Sequence, residues 1–294
     1  MYDLNQVGES TYYMDSPANV GFYVDEDRVF LIDGGSDKDA AKKALAHITS
    51  RGWTLEAVIC THSHADHAGG CSLLHQRTGC KIYAAGVGAA IIRYSYLEPT
   101  YLYGGFAMKD LRSKFIMSQP CDCEQLTPDV LPDGLEYTHI DGHDFEQIAI
   151  KTRDGVWFVA DSVVSAETLS KYKIPFLYDI AGQLNSLQKL TELEGRLFIP
   201  AHCPPTEDIT ELTRINSENI REVADTIKRL CAVGLTIDEL LERLFAEFGI
   251  KLYLTQYALV GFTTRSYLSW LYEKGEIKPV FEGTRLLWKT SDKG

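Results

Sequence analysis

Three histidines and an aspartate fall within six consecutive positions of the stretch THSHADHAGG at 61–70: His62, His64, Asp66 and His67. The whole chain of 294 residues has only eight histidines. The apolar run LEAVICT at 55–61 precedes the cluster and predicts a strand. While the chain stays extended, positions two apart point to one side, so His62 and His64 share a direction. Asp66 and His67 fall where the chain turns into the next helix and can face the other way. Two ligand pairs leaving one loop suit two neighbouring ions better than one. Imidazole nitrogen and carboxylate oxygen suit zinc first, with iron or manganese as alternatives. A solvated loop with Asp66 near a helix cap would explain a lone His-x-His, but explains four such residues poorly.

Four ligands do not complete a two-ion centre, so later strands must supply more. Three do: IDGHD places His143 after a strand and a glycine turn, VWFVADS ends in Asp161, and LFIPAHC ends in His202. Each is weak alone, because a single histidine or strand-end aspartate is usually structural. In this order, each at a strand end, they form one pattern. His47, His75 and His139 read as ordinary surface or core residues.

The elements that must carry these residues alternate. Short runs across 10–35 read as strands, ending in VFLIDGG with its glycine turn. SDKDAAKKALAHITSRG predicts a helix with Ser36 as cap and Gly52 as stop. A helix at AGGCSLLHQRTG and a strand at KIYAA follow, and the alternation argues for an α/β layered fold. Residues 88–125 are aromatic-rich and interrupted by Pro99 and Gly104-Gly105. They read as a long irregular insertion with a short helix, suited to cap a site or form an interface. Strands resume from Leu135, then DIAGQLNSLQKLTEL reads as a helix and RLFIPAHC as a strand. After Pro205 DITELTRINSENIREVADTIKRLCAVG and TIDELLERLFAEFG read as capped amphipathic helices with a Gly stop, covering about 216–233 and 236–248, followed by a helix near 256–274 and a hairpin at about 276–289.

At this point the chain resembles the metallo-β-lactamase fold superfamily of metal-dependent hydrolases. The matching pieces are DGG at 33–35, HSHADH at 62–67, GH at 142–143, AD at 160–161 and PAH at 200–202, over about residues 8–210. The resemblance implies a four-layered αβ/βα sandwich with metals at one edge between two sheets. It assigns His62, His64 and His143 to a first metal, and Asp66, His67 and His202 to a second. Asp161 would bridge the two, and Asp33 would fix the ligand loop through hydrogen bonds. The C-terminal stretch 211–294 looks like a winged-helix domain appended to a catalytic domain at 1–210. Departures are Asp141 where the family pattern has proline before Gly-His, and Cys203 after His202 in place of glycine. The flavodiiron branch carries glutamate where this chain has His64, which argues against a redox di-iron centre.

Two adjacent divalent ions make water nucleophilic near neutral pH, so hydrolysis is the expected reaction, with Asp66 as the residue to orient the water or take its proton. A small ester, thioester or lactone is the expected substrate, with the tyrosines of 94–103 as a candidate pocket wall. The alternative is a phosphodiesterase or ribonuclease whose C-terminal domain binds nucleic acid. A net charge of −12, from 29 Lys and Arg against 41 Asp and Glu, disfavours that alternative. A packing or dimerisation role suits the C-terminal domain better. No apolar run reaches membrane-helix length. The N-terminus lacks a secretory pattern, so a cytoplasmic enzyme with reduced thiols is expected. Cys121-Asp-Cys123 is too tightly spaced for a usual zinc knuckle, and Cys203 reads first as a small packed residue.

Overall fold

The computed structural model describes residues 1–291; the expected C-terminal unit runs on through 292–294, which lie outside the described residues. One sheet contains β1 (Leu4–Gln6), β2 (Thr11–Met14), β3 (Val20–Asp25), β4 (Arg28–Ile32), β5 (Thr54–Cys60), β6 (Lys81–Ala84) and β7 (Glu124–Gln125), in that spatial order. Its first four strands are antiparallel, and β4 to β7 are parallel. The parallel connections carry α1 (Lys38–Ser50), α2 (Ala65–Ala68) with α3 (Cys71–Thr78), then α4 (Gly86–Arg93) and α5 (Leu97–Tyr103). The second sheet has the order β11 (Leu197–Pro200), β10 (Val156–Ala160), β9 (Ile148–Thr152), β8 (Leu135–His139). Helices α6 (Ala166–Tyr172) and α7 (Ile180–Glu192) join β10 to its parallel neighbour β11.

Alternation along the strands explains the layers. In β4, Val29 and Leu31 enter the core under α1 and α3, while Phe30 and Ile32 face the second sheet. In β10, Val156 and Phe158 meet the first sheet, while Trp157 and Val159 pack outward under helices. The central strands β3, β4, β9 and β10 are therefore covered on both faces and read as near-continuous apolar runs rather than half-polar ones. Three apolar layers separate four layers of secondary structure.

The C-terminal part is α8 (Thr210–Cys231), α9 (Ile237–Glu247), α10 (Leu254–Glu273) and a hairpin of β12 (Ile277–Glu282) and β13 (Arg285–Thr290). Its apolar residues Val223, Leu244, Val260 and Leu268 belong to the same core cluster as Trp157, Val159 and Phe198 of the second sheet. Each such side chain contributes about 1.5–3 kcal/mol when buried, and here the core runs unbroken from the sheet into the helices. Thr236 begins α9 with a full capping box to Glu239. Among the described residues, no helix is long and apolar enough to cross a membrane.

Two details differ from expectation. Asp37, not Ser36, caps α1; its Oδ1 accepts from the amides of Asp39 at 2.9 Å and Ala40 at 3.2 Å. α8 spans the stretch expected to be helical from Asp208, whose Oδ1 accepts the Thr210 amide at 2.8 Å at the helix start. Residues 88–125 are more ordered than an irregular connection, since Ala89, Ile91 and Ile92 anchor α4 in the core and Leu102 anchors α5.

Candidate metal centre

Strand β4 ends at Ile32, and the next residue, Asp33, sits at φ 67°, a conformation costing about 1–3 kcal/mol for a non-glycine residue. Hydrogen bonds hold it there. Asp33 Oδ1 accepts the Thr61 amide at 2.7 Å, and Oδ2 accepts Thr61 Oγ1 at 2.9 Å. The same Oδ2 lies 2.8 Å from His67 Nδ1. The loops touch through glycine: the Gly34 amide donates to His67 O at 2.8 Å and the Gly70 amide to Gly35 O at 3.0 Å. A Cβ on Gly70 would stand 2.1 Å from Gly34 O, so no larger residue fits without moving a ligand.

From the loop after β5, His62 and His64 meet His143, which follows Gly142 beyond β8. His64 Nδ1 lies 3.0 Å from His62 Nε2 and 2.9 Å from His143 Nε2. The outer nitrogens are engaged: His143 Nδ1 donates to Phe176 O at 3.1 Å, and His62 Nδ1 is 3.1 Å from Thr61 Oγ1. Thr61 directs its own hydrogen to Asp33, so His62 is the donor of that pair. Both Nε2 atoms therefore carry lone pairs aimed at His64 Nδ1. Burial favours neutral rings, lowering His62 well below its ordinary value and His143 to about 4. Gly142 is at φ 126°, and a Cβ there would meet the Gln183 amide nitrogen at 2.2 Å, so glycine is needed to aim His143.

The second group is Asp66, His67, Asp161 and His202. His202 Nε2 lies 3.2 Å from Asp66 Oδ2 and 3.3 Å from Asp161 Oδ2, and His67 Nε2 lies 3.3 Å from Asp161 Oδ1. His202 Nδ1 is committed to Pro17 O at 2.7 Å. Asp161 Oδ2 is also 3.5 Å from His143 Nε2, so this carboxylate stands between the groups. The charges are complementary. Asp161 pushes His202 up to about 12 against the opposing effect of burial. Burial would discharge His67, but Asp33, Asp161 and Asp66 together raise it well above its ordinary value. Burial likewise opposes the ionised form of Asp161, yet His202 and His67 hold it well below the usual carboxylate range.

Both groups fit divalent cations. His67 Nε2 and Asp161 Oδ1 are buried without a hydrogen-bond partner, a costly condition that an ion between them would relieve. In four of the five histidines Nδ1 is taken by a protein oxygen and Nε2 faces inward, the arrangement that fixes the ligating tautomer. Converging imidazole lone pairs repel one another and call for a cation among them.

The comparisons with known proteins agree with this geometry. The Metallo-beta-lactamase superfamily description matches residues 13–202. The chain belongs to the metallo-beta-lactamase superfamily. Among solved structures, a beta-lactamase domain protein from Burkholderia ambifaria aligns with TM-score 0.74 at 17% identity, covering 98% of this chain and 94% of that one. A metallo-beta-lactamase family protein from Thermus thermophilus aligns with TM-score 0.70 at 18% identity, covering 96% and 98%. Both share the fold across the C-terminal helices as well. Among curated relatives, a hydroxyacylglutathione hydrolase from Rhodopseudomonas palustris is 44% identical over 48 residues, 16% of this chain and 19% of that protein. One from Thiobacillus denitrificans is 53% identical over 38 residues, 13% of this chain and 15% of that protein.

The structure brings the seven candidate ligands together in two adjacent groups, with Asp33 hydrogen-bonded behind His67. His47, His75 and His139 lie outside both groups: His47 bonds Tyr2 O, His75 bonds Cys80 O, and His139 is half-exposed on β8. Cys203 is buried, and burial pushes its thiol to about 11, so it stays a protonated packed residue at neutral pH. The stretch 94–103 does contribute to the cavity wall, but through Glu98 and Leu102 rather than its tyrosines. Tyr94, Tyr96 and Tyr103 are exposed, while Tyr101 packs on Phe145 and Phe262.

Several contributors carried no motif. Asp144 is buried; its Oδ2 accepts from Ser63 Oγ at 2.8 Å and Oδ1 lies 3.9 Å from His64 Nε2, steering the one ring that turns Nδ1 inward. Gln147 Oε1 accepts the Asp161 amide at 3.3 Å. Glu98 of α5 lines a cavity of about 450 Å³ together with His64 and Asp66. Its Oε2 is buried without a partner, and burial, with Asp144 and Asp66 nearby, raises its carboxyl well above the usual range. An adjoining cavity of about 500 Å³ also opens on Asp66, His143 and Asp161. Among the described residues, the one lysine or arginine lining either cavity is Lys114, and it is paired with Asp37 at 3.1 Å.

Proposed function

We propose that the chain is a dinuclear metal-dependent hydrolase acting on a small ester, thioester or lactone. His62, His64 and His143 hold one ion, Asp66, His67 and His202 the other, and Asp161 contacts both. Zinc is the proposed metal, since five imidazoles and two carboxylates form a borderline donor set. Divalent ions at these positions supply Lewis acidity, which acidifies water and polarises an acyl oxygen.

The protein's own groups do the rest. Asp33 and Asp144 orient the rings of His67 and His64 through their hydrogen bonds and charge. Asp66 is more exposed than the other residues of its group and faces both cavities, so it is placed to orient attacking water and receive its proton. The Glu98 carboxyl, which burial biases toward its protonated form, stands in the wall of the 450 Å³ cavity, where it can hydrogen-bond substrate. Residues 1–210 make up the catalytic unit, and 211–294 form a winged-helix-like accessory that packs against it.

The observation carrying this reading is the position of Asp161 between two ligand groups, at the floor of cavities with a single paired lysine. A nucleic-acid strand carries phosphates beyond the reacting one that bind through lysine and arginine, and among the described residues the cavity walls offer only the paired Lys114, so they favour an acyl substrate over RNA or DNA. The short segments shared with hydroxyacylglutathione hydrolases support a thioester. Metal analysis combined with a hydrolysis screen over thioesters, lactones, phosphodiesters and β-lactams tests the proposal. Preferential turnover of phosphodiesters would replace it with the nuclease reading.

A further inference from the structure

The 500 Å³ cavity has a composition that restricts what it can take. Among the described residues, Asp66, Asp161 and the neutral ring of His143 are the acidic or basic groups that line it, and no lysine or arginine does. Its walls come from three separate segments: Phe115 and Ile116 of the insertion, Ile174 with Leu177 after α6, and Ile220 with Leu259 from the C-terminal helices. The amides in the wall are largely engaged within the protein. Asn216 bonds both backbone groups of Val164, Gln183 Nε2 donates to Ser162 O at 2.7 Å, and Asn219 Nδ2 donates to Lys173 O at 2.9 Å. Gln183 Oε1 and Asn219 Oδ1 are left as uncharged acceptors. The neighbouring cavity shares Phe115, Ile116, Phe176 and Leu259 and is as apolar over most of its wall, but Asp37, Lys114 and Glu98 bring it charged and acidic groups that the 500 Å³ chamber lacks. Phe115 and Ile116 line both, so the two chambers adjoin at the metal-ligand cluster.

We propose that the 500 Å³ chamber binds an uncharged hydrocarbon arm of the substrate, while the polar remainder occupies the chamber beside Lys114 and Glu98. This assignment rests on the hydrolase reading for the word substrate, but the chamber's selectivity does not depend on turnover. Removing apolar surface from water favours binding in proportion to area, and a charged arm would be stranded without a counter-charge. The assignment also gives the C-terminal helices a role in the reaction, because α8 and α10 build one wall of the chamber.

The test has a binding part and a turnover part. Straight-chain alkanols from butanol to decanol are titrated into the metal-free protein by calorimetry. Affinity is expected to rise about three- to fourfold per added methylene until the chamber is full. Leu259→Trp and Thr168→Phe, two half-buried wall positions, are expected to abolish that gain while thermal unfolding stays cooperative. Affinity independent of chain length, or gains unchanged in both folded variants, would overturn the assignment. In the metal-loaded protein, S-acyl N-acetylcysteamines and S-alkyl thioacetates of increasing length are then compared. A rise of kcat/KM with length in either series supports the chamber and shows which side of the carbonyl carries the hydrocarbon. Turnover indifferent to length in both series overturns the chamber and leaves the hydrolase reading standing. Length-dependent alkanol binding with no turnover of any substrate supports the chamber and defeats the hydrolase reading.

Discussion

Asp33 Oδ2 lies 2.8 Å from His67 Nδ1, with both side chains buried. The pair joins the end of β4 to the loop after β5, and it aims His67 Nε2 at Asp161. Because Asp33 also accepts two hydrogen bonds from Thr61, one carboxylate fixes the loop at both its start and its end.

Removing that brace has two expected consequences. Asp33→Ala leaves His67 Nδ1 buried without its partner, with Asp161 and Asp66 still facing Nε2, and lowers stability by about 3–5 kcal/mol. It also weakens metal binding about 10- to 100-fold, as loss of a partner behind a ligand does. Denaturant unfolding and competition with a chromogenic chelator measure the two effects separately.

Metal loading is expected to release protons. Without metal, Asp161 pushes His202 up to about 12, and Asp33, Asp161 and Asp66 raise His67 above its ordinary value, so both rings are biased toward the protonated form. A ligating imidazole must be neutral, so filling the second site expels protons and apparent affinity rises with pH. In linkage terms, the stability these rings lend the metal-free protein is fully present below the unfolded histidine value and is lost as pH rises through the folded one. Calorimetric metal titration in buffers of different ionisation enthalpy counts the protons.

Gly142→Ala should act on the first group alone. Its Cβ would meet α7 backbone at 2.2 Å and must displace His143 or the helix start. The expected cost is about 1–3 kcal/mol, as for other overpacking substitutions, with metal content falling toward one ion per chain. Thermal unfolding and metal analysis of the same sample check this.

Leu244→Ala tests whether the C-terminal helices share the sheet's core. Leu244 is fully buried in the cluster that includes Trp157 and Val159. An expected loss of about 2–5 kcal/mol should appear as one shifted transition for the whole chain. A separate early transition, with the rest unmoved, would show that the helices fold apart.

The centre was more legible than its surroundings, for physical reasons. Ligands to a cation must be particular residue types at strand ends, so His62 through His202 leave a residue-type signal. Asp144 and Gln147 act through hydrogen bonds to Ser63 and Asp161, which any short polar residue at the right distance could make, and nothing in their spacing marks them. Glu98 carries no signal within its mixed segment, because the packing of α5 against α10 brings it to the cavity. The stretch 94–103 does reach the cavity through Glu98 and Leu102, yet its conspicuous rings do not: Tyr94 and Tyr96 pair with each other on the surface. The layered fold could be read because β4, β5 and β10 are apolar on both faces. The cap of α1 could not be settled between Ser36 and Asp37, which are equally good cap residues one position apart.

The most direct test of the dinuclear centre is metal content measured beside thioester turnover, in the unaltered chain and in Asp161→Ala. The expected result is two ions per chain with chelator-sensitive hydrolysis, and loss of both metal and activity in the folded variant. Less than one ion per chain, with turnover indifferent to chelators and to Asp161→Ala, would contradict it.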